Sequence, residues 1–591
     1  MRLTLSTVSK LLQSQKLTSE SIAVHCHELA LHGDQSLKLN VFTHLANKET
    51  LLRDARASDD RRRRGISKGP LDGIPVSIKA NIAVREYPLT AGSRLLNDNS
   101  KGTDIGCGYD SDVARRLLRE CGAVLIGITN MDEFGMGSLG ANAPLIGPTT
   151  NPRSFHHTTL TSSPAITSCE TSTSMDAALT ALRETQTQTE LTLHSSTTNS
   201  STPVTRYSAG GSSSGAAASI AHGSSLLALG TDTGGSLRLP AAWCGVVGFK
   251  PSYGLISRFG VVSYASSLDT VGLIVGSSRC AALAFNALAN RKGGDSETMD
   301  STATYLKEEL SIPSTNDNDD CSSPLNGIKI GIPASFSVNE CPPCVTRAWT
   351  QTAQRLQDAG AQISIVPDDI LTPATVKRAL AAYYVLASAE ASSNLARYDG
   401  VRYGTPRNHS SSPSLEDGTD MDMTAPSGSL EEQVSSYRAR NFGPEVQRRI
   451  LSGTHVLSSS QFHTHYEAAS KLRVLLQREM MRAFQDVDLM LTPTCLSLPL
   501  PLPLPVTPGL SDSKNDTELL GLDVMTVPIS LANLPSVSIP VRIHNDDHNL
   551  TDPENPGSRL EDVIGLQIFG PSMSESLVLR TASIAEHAFP E

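Results

Sequence analysis

Residues 208–254 read SAGGSSSGAAASIAHGSSLLALGTDTGGSLRLPAAWCGVVGFKPSYG, a stretch whose small residues are too dense for an ordinary core. Gly234 and Gly235 precede Ser236, and glycines reach backbone conformations that a Cβ forbids, so successive N–H groups can turn toward one point. Donors arranged in this way stabilise the negative oxygen of a tetrahedral intermediate, and one of them is worth about 2.7–4 kcal/mol. An oxyanion hole beside Ser236 is what the pattern suggests. A glycine-rich loop can also cradle phosphate, but there is neither a GxxxxGK run followed by Ser or Thr nor a strand-GxGxxG-helix pattern, so phosphate is the weaker reading.

A serine hydroxyl is a poor nucleophile until something takes its proton, and the usual agent is histidine. Of the fifteen histidines only His222 falls in this stretch, and no GxSxG elbow is present. Lysine is the other agent. In GPLDGIPVSIKAN (69–81) the alternation of Ile74, Val76 and Ile78 marks a short strand ending near Lys79. A lysine delivered from a buried strand is desolvated, which favours its neutral form and makes it a competent base. Local sequence leaves Lys79 open between that role and an ordinary salt-bridged or snorkelling lysine. Asp232 and Arg238 flank the turn of Ser236 and read as holding the loop through charge-assisted hydrogen bonds, ahead of a catalytic role.

The glycine-serine block, GTDTGGSLRLPAAWCGVVGFKPSYG and GIPVSIKAN together resemble the amidase-signature family. The resemblance implies an α/β fold, with a mixed β-sheet core covered by helices on both faces. It also implies a Ser-Ser-Lys triad in which Ser236 is the nucleophile, Ser212, on a cis peptide bond, shuttles protons, and Lys79 is the base. The interval of 24 residues between the two serines fits the family pattern. By the same resemblance the amides of Thr233, Gly234, Gly235 and Ser236 form the oxyanion hole.

Within that family the chain is most similar to the A-subunits, the glutaminase components, of glutamyl-tRNA(Gln) amidotransferases. The similarity runs from about residue 8 to residue 588 and is dense in ITNMDEFGMGS (128–138), GLISRFGVVSYASSLDTVG (254–272) and AEASSNLARYDGVRYG (389–404). Such proteins hydrolyse glutamine and pass ammonia to the B-subunit, which uses ATP and Mg to amidate Glu-tRNA(Gln); a small third subunit completes a heterotrimer. The resemblance therefore implies no metal or cofactor on this chain and tRNA held mainly by the partner. Its implied glutamine contacts are Tyr383, Arg449 for the carboxylate and Asp523 for the ammonium. Residue by residue, Arg449 also reads as an exposed helix position beside Arg448, and Asp523 as a loop acid. Two departures from the family pattern stand out: Ser214 replaces a glycine in the glycine-serine block, and residues 154–205 stand where the family has a short connection.

These residues need a scaffold. Helical patterns at 113–120, 347–356 and 471–484, each followed by an apolar run at 123–128, 362–366 and 487–491, give the rhythm of an α/β core. The expected organisation is a single domain over 1–591, with low-complexity insertions at 154–205, 316–323 and 409–429 that lack the apolar density to offset their ordering entropy. Residues 498–508 alternate Pro with Leu and predict an extended connection. The run Arg61 to Arg64 reads as a solvated loop, with a phosphate contact as the other possibility.

Lys and Arg total 49 against 60 acids, a net charge of −11, which argues against broad phosphate binding. Ten scattered cysteines form no disulfide framework and favour a reducing compartment. The lone CxxC, Cys341 and Cys344, reads as two thiols ahead of a helix. No run approaches the ~20 apolar residues a membrane span needs. Arg2, Lys10 and Lys16, with no acid among the first nineteen residues, fit an organellar address, while Val8, Leu11, Leu12 and Leu17 fit a first folded helix. Low-complexity insertions look eukaryotic, and the resemblance then points to organellar translation in the mitochondrion. The rival readings are a free-standing amidase acting on another carboxamide, and a scaffold that keeps the fold without the chemistry.

Overall fold

The computed structural model describes residues 3–97, 106–155, 205–290, 300, 304–305, 310, 323–338, 340–403, 429–502, 521–542 and 563–587. The expected insertions at 154–205, 316–323 and 409–429 lie, apart from a few end residues, outside the described residues. Eleven strands form one sheet: β1 (Phe42–Leu45), β2 (Pro75–Lys79), β3 (Val124–Thr129), β4 (Leu227–Asp232), β5 (Val247–Lys250), β6 (Thr270–Val275), β7 (Lys329–Pro333), β8 (Gln362–Val366), β9 (Leu489–Pro493), β10 (Ser536–Arg542) and β11 (Val563–Phe569). Their spatial order is β1-β3-β2-β4-β6-β5-β10-β11-β9-β7-β8.

The sheet is mixed. β3, β2 and β4 are parallel neighbours, as are β9, β7 and β8, and the pairs between these groups are antiparallel. Every residue of β2, β4, β5, β6 and β9 is buried, which requires cover on both faces. Two helix groups supply it: Ser214–His222 with Arg238–Cys244, and Ser278–Leu288 with Glu575–His587, so that β10 is packed by a member of each. This is the α/β fold with a mixed core that the sequence implied.

Burial explains why β2 forms despite Ser77 in its centre. The Ser77 hydroxyl hydrogen-bonds those of Ser219 and Ser225 at 3.0 Å each, so its polar atom is satisfied inside the core. Above it, Ala216, Ala217 and Ala218 let the helix Ser214–His222 lie close on the sheet, and Gly223 ends that helix in the left-handed conformation (φ 84°).

Several expectations shift. The region 113–120 is helical, but after Asp112–Ala114 it is wound as a π-helix over Arg115–Glu120. The strand expected at 487–491 starts two residues later, because the Val487 amide donates to Ala483 O and closes the turn after the helix Tyr466–Ala483. The four arginines are helix end rather than loop, and only two are solvated: Arg61 and Arg62, in the last turn of the helix Lys48–Arg63, pair with Asp72 and Asp59, while Arg63, paired with Asp60, and the capping Arg64 stay exposed. Residues 5–13 form a helix that buries Leu5, Val8 and Leu12 and packs on Ser278–Leu288. Cys341 and Cys344 are not joined in a disulfide, and Cys344 already lies inside the helix Pro343–Asp358. Within the proline-leucine stretch, Leu500 O accepts from the Ser208 amide and the Leu502 amide donates to Arg206 O, so this extended piece braces the approach to Ser212. No described helix is long and apolar enough to cross a membrane.

Candidate active site

Three parallel strands end at one edge of the sheet and deliver the chemistry there, as carboxyl ends of strands do in α/β folds. β2 ends on Lys79, β3 runs on into Asp132, and β4 runs into the loop of Thr233, Gly234, Gly235 and Ser236. Lys79 is fully buried. Its Nζ donates to Ser212 Oγ (2.8 Å), Ser213 Oγ (2.9 Å) and Thr231 Oγ1 (3.0 Å), so all three ammonium protons can be spent on hydroxyls. Neither the salt-bridged nor the snorkelling alternative describes this side chain. Burial pushes its pKa down to about 7, against the opposing pull of Asp132, Asp232 and Asp269.

The Gly211–Ser212 peptide bond is cis, as the resemblance implied. Its surroundings are tightly filled. A Cβ on Gly211 would lie 2.0 Å from Asp132 Oδ2 and 2.6 Å from the Gly140 amide nitrogen. Asp132 in turn accepts from the Gly140 (3.0 Å) and Asn142 (2.8 Å) amides, and burial raises its pKa to about 6. Ser236, almost buried, is fastened beside this segment, since its carbonyl accepts from the Ser213 amide at 3.2 Å. None of the amides of Thr233, Gly234, Gly235 and Ser236 donates to another described residue. Four free donors on one short turn are what an oxyanion would use.

Asp232 and Arg238 prove to be loop supports. The guanidinium meets the carboxylate through two bonds of 3.0 Å, with both side chains fully buried, and also reaches Thr526 O, Gln567 Oε1 and Ser530 Oγ. Every end of the pair is satisfied, which leaves no site for a substrate.

Two of the three implied glutamine contacts, Tyr383 and Asp523, lie against the same loop, and the charge of Arg449 is felt by both. A Cβ on Gly234 would strike the Tyr383 ring (2.7 Å to Cζ), and one on Gly235 would lie 3.2 Å from Asp523 Oδ1. Asp523 is buried, accepts from Ser138 Oγ at 2.6 Å, and has its pKa raised by burial to about 6. Arg449 is buried too, unlike its neighbour Arg448, whose side chain is 52% exposed. Its Nε donates to Glu445 Oε1 (2.6 Å), its Nη1 to Tyr264 Oη (2.7 Å), and it stacks 4.5 Å over the Tyr384 ring. Its Nη2 donates to no described residue. The exposed-helix reading therefore does not describe Arg449, while Asp523 does stand on a short turn, Gly521–Asp523, but buried and hydrogen-bonded there.

Sequence reasoning gave no role to Asp132, Ser213, Thr231, Tyr264 or Asp269, though Asp132 and the last two sit in the most family-like blocks. Taken together, a buried amine on a serine hydroxyl, a second serine on a turn of free amides, and one cation and one anion nearby can carry out acyl transfer from a charged amide.

The fold and this arrangement define an amidase, and the chain belongs to the Amidase family, whose model matches residues 34–164 and 173–579. A curated relative, the A-subunit of glutamyl-tRNA(Gln) amidotransferase from Halothermothrix orenii, is 34% identical over 527 residues, covering 88% of this chain and 86% of its own. Among solved structures, the A-subunit of glutamyl-tRNA(Gln) amidotransferase from Thermotoga maritima superposes with a TM-score of 0.62 at 24% identity, over 97% of this chain and 95% of that one. A bacterial aryl acylamidase of the amidase-signature family superposes with a TM-score of 0.68 at 21% identity, covering 100% and 96%. These two likenesses show the fold.

Proposed function

We propose that this chain is the glutaminase subunit of a glutamyl-tRNA(Gln) amidotransferase, folded as one amidase-signature domain. Neutral Lys79 takes a proton from Ser212 as Ser212 takes one from Ser236. Ser236 Oγ attacks the glutamine carboxamide, and the amides at 233–236 hold the resulting oxyanion. Collapse returns a proton through Ser212 to the leaving nitrogen and releases ammonia, leaving a glutamyl ester on Ser236 that water cleaves to glutamate. Arg449 binds the substrate carboxylate, Asp523 its ammonium, and Tyr383 packs against both the loop and the substrate.

Ammonia then goes to the B-subunit, where ATP and Mg activate Glu-tRNA(Gln), with a small third subunit completing the complex. The close similarity to relatives named as A-subunits of this amidotransferase supports this division of labour. A mitochondrial place of work goes with this reading and rests on the low-complexity stretches.

The observation that carries the proposal is the 2.8 Å bond from a fully buried Lys79 to Ser212, with buried Asp523 beside the loop of Ser236 and the charge of buried Arg449 acting on Asp523. The test compares kcat/KM for glutamine and for a small neutral amide in wild type, Arg449→Ala and Asp523→Ala. Each variant leaves one charged end of glutamine unpaired and should lower glutamine turnover by about 2–5 kcal/mol in transition-state binding, while sparing the neutral amide. Equal losses on both substrates would favour a free-standing amidase.

A further inference from the structure

Asp269 ends the turn that precedes β6, and its buried carboxylate joins two parts of the site that the sequence keeps far apart. Its Oδ1 accepts the Thr233 hydroxyl at 2.6 Å, at the first residue of the oxyanion turn. Its Oδ2 accepts the amides of Tyr264 (2.9 Å) and Ala265 (3.0 Å). Tyr264 carries the hydroxyl that receives Arg449 Nη1 at 2.7 Å. Two further contacts stiffen the turn: the Leu268 and Asp269 amides both donate to Ala265 O. From oxyanion turn to arginine the path is Thr233, Asp269, Tyr264 and Arg449, each link a short hydrogen bond or a peptide segment in a closed turn.

We infer that Asp269 is a positioning residue that couples the two functions: a carboxylate held by Arg449 sets Tyr264, and through Asp269 sets Thr233 and the amides that receive the oxyanion. The Arg449 half of this statement rests on the proposed glutamine reading. The coupling would make glutamine its own activator, because the end of the substrate that does not react would tune the donors at the end that does. A neutral amide would meet an oxyanion turn held only by Asp269, without that adjustment.

Thr233→Val removes the hydroxyl while keeping the side-chain shape, and Thr233→Ser restores it. The expected result is a loss in kcat for glutamine on the order of 10²-fold for Thr233→Val with KM little changed, most of it recovered in Thr233→Ser. Asp269→Asn should follow Thr233→Val, and if that variant does not fold the threonine pair still carries the test. Unchanged kcat in Thr233→Val would overturn the positioning role.

The coupling is read from the double variant Thr233→Val with Arg449→Ala. For glutamine its loss in kcat/KM should fall short of the product of the single losses by roughly tenfold or more, as expected for groups acting as one unit. Losses that multiply, with the neutral amide spared by Arg449→Ala, would overturn the coupling and leave the carboxylate reading standing. A neutral amide impaired as much as glutamine by Arg449→Ala would overturn the carboxylate reading and the coupling with it.

Discussion

At the scale of single residues, the account turns on a lysine made basic enough to be useful by being deprived of water. Burial holds Lys79 near pH 7, so its neutral fraction grows as pH rises through that value. kcat/KM for glutamine should therefore climb through an apparent pKa near 7. Asp523 adds a second feature on the acid side: its pKa is raised to about 6 by burial, so it protonates as pH falls below 6 and, in the ammonium-binding role proposed for it, would lose its hold on the substrate. The KM for glutamine should rise there, and that for a neutral amide should not. Paired pH profiles for the two substrates check both statements, and a flat glutamine profile between pH 6 and 8 would count against Lys79 as the base. How far the sequence reveals this site differs from residue to residue. The oxyanion turn before Ser236 is legible because glycines mark it, while the role of Ser236 itself comes from the family resemblance. Lys79 becomes legible only through family resemblance, since local pattern does not tell whether a strand-end lysine meets carboxylates or hydroxyls. Asp132 and Asp269 stay silent because their work is done by hydrogen bonds to amides and hydroxyls whose placement depends on the folded loops.

At the scale of elements, the active edge is held by close approach and by one buried ion pair. Gly211→Ala would drive a Cβ into Asp132 Oδ2 and the Gly140 backbone, so we expect loss of activity and a clear fall in melting temperature. Gly276→Ala is the matched control. Its Cβ would meet only Thr4 Cγ2, at 3.9 Å, and its melting curve should overlay that of wild type. Arg238→Met leaves Asp232 charged, buried and without its main partner, and should destabilise the chain by about 3–5 kcal/mol in a denaturant titration. Element existence is well predicted by periodicity, as β8 shows, with the expected and observed limits both 362–366. Limits fail where a turn competes with a strand, as at Val487, and where charge is mistaken for exposure, as at Arg61 and Arg62, whose aspartate partners lie on the same helix or just beyond it.

At the scale of the whole molecule, one sheet gathers strand ends from residue 79 to residue 232 and surrounds them with side chains from beyond residue 380, which is why no short motif contains the site. A net charge of −11 and the absence of any Walker-type phosphate loop in the sequence set the expected division of labour. The isolated chain, given glutamine, ATP and Glu-tRNA(Gln), should release ammonia and form no Gln-tRNA(Gln) until a partner fraction is added, which an acylation assay on recovered tRNA will show. Conversion by this chain alone would end the case for a separate amidating subunit. The most direct test of the central claim is to quench glutamine turnover in acid and map the covalent adduct by peptide mass spectrometry. The account predicts a glutamyl ester on the peptide carrying Ser236, absent in Ser236→Ala together with all glutamine hydrolysis while the variant still melts like wild type. An adduct on another residue, or undiminished turnover in Ser236→Ala, would contradict it.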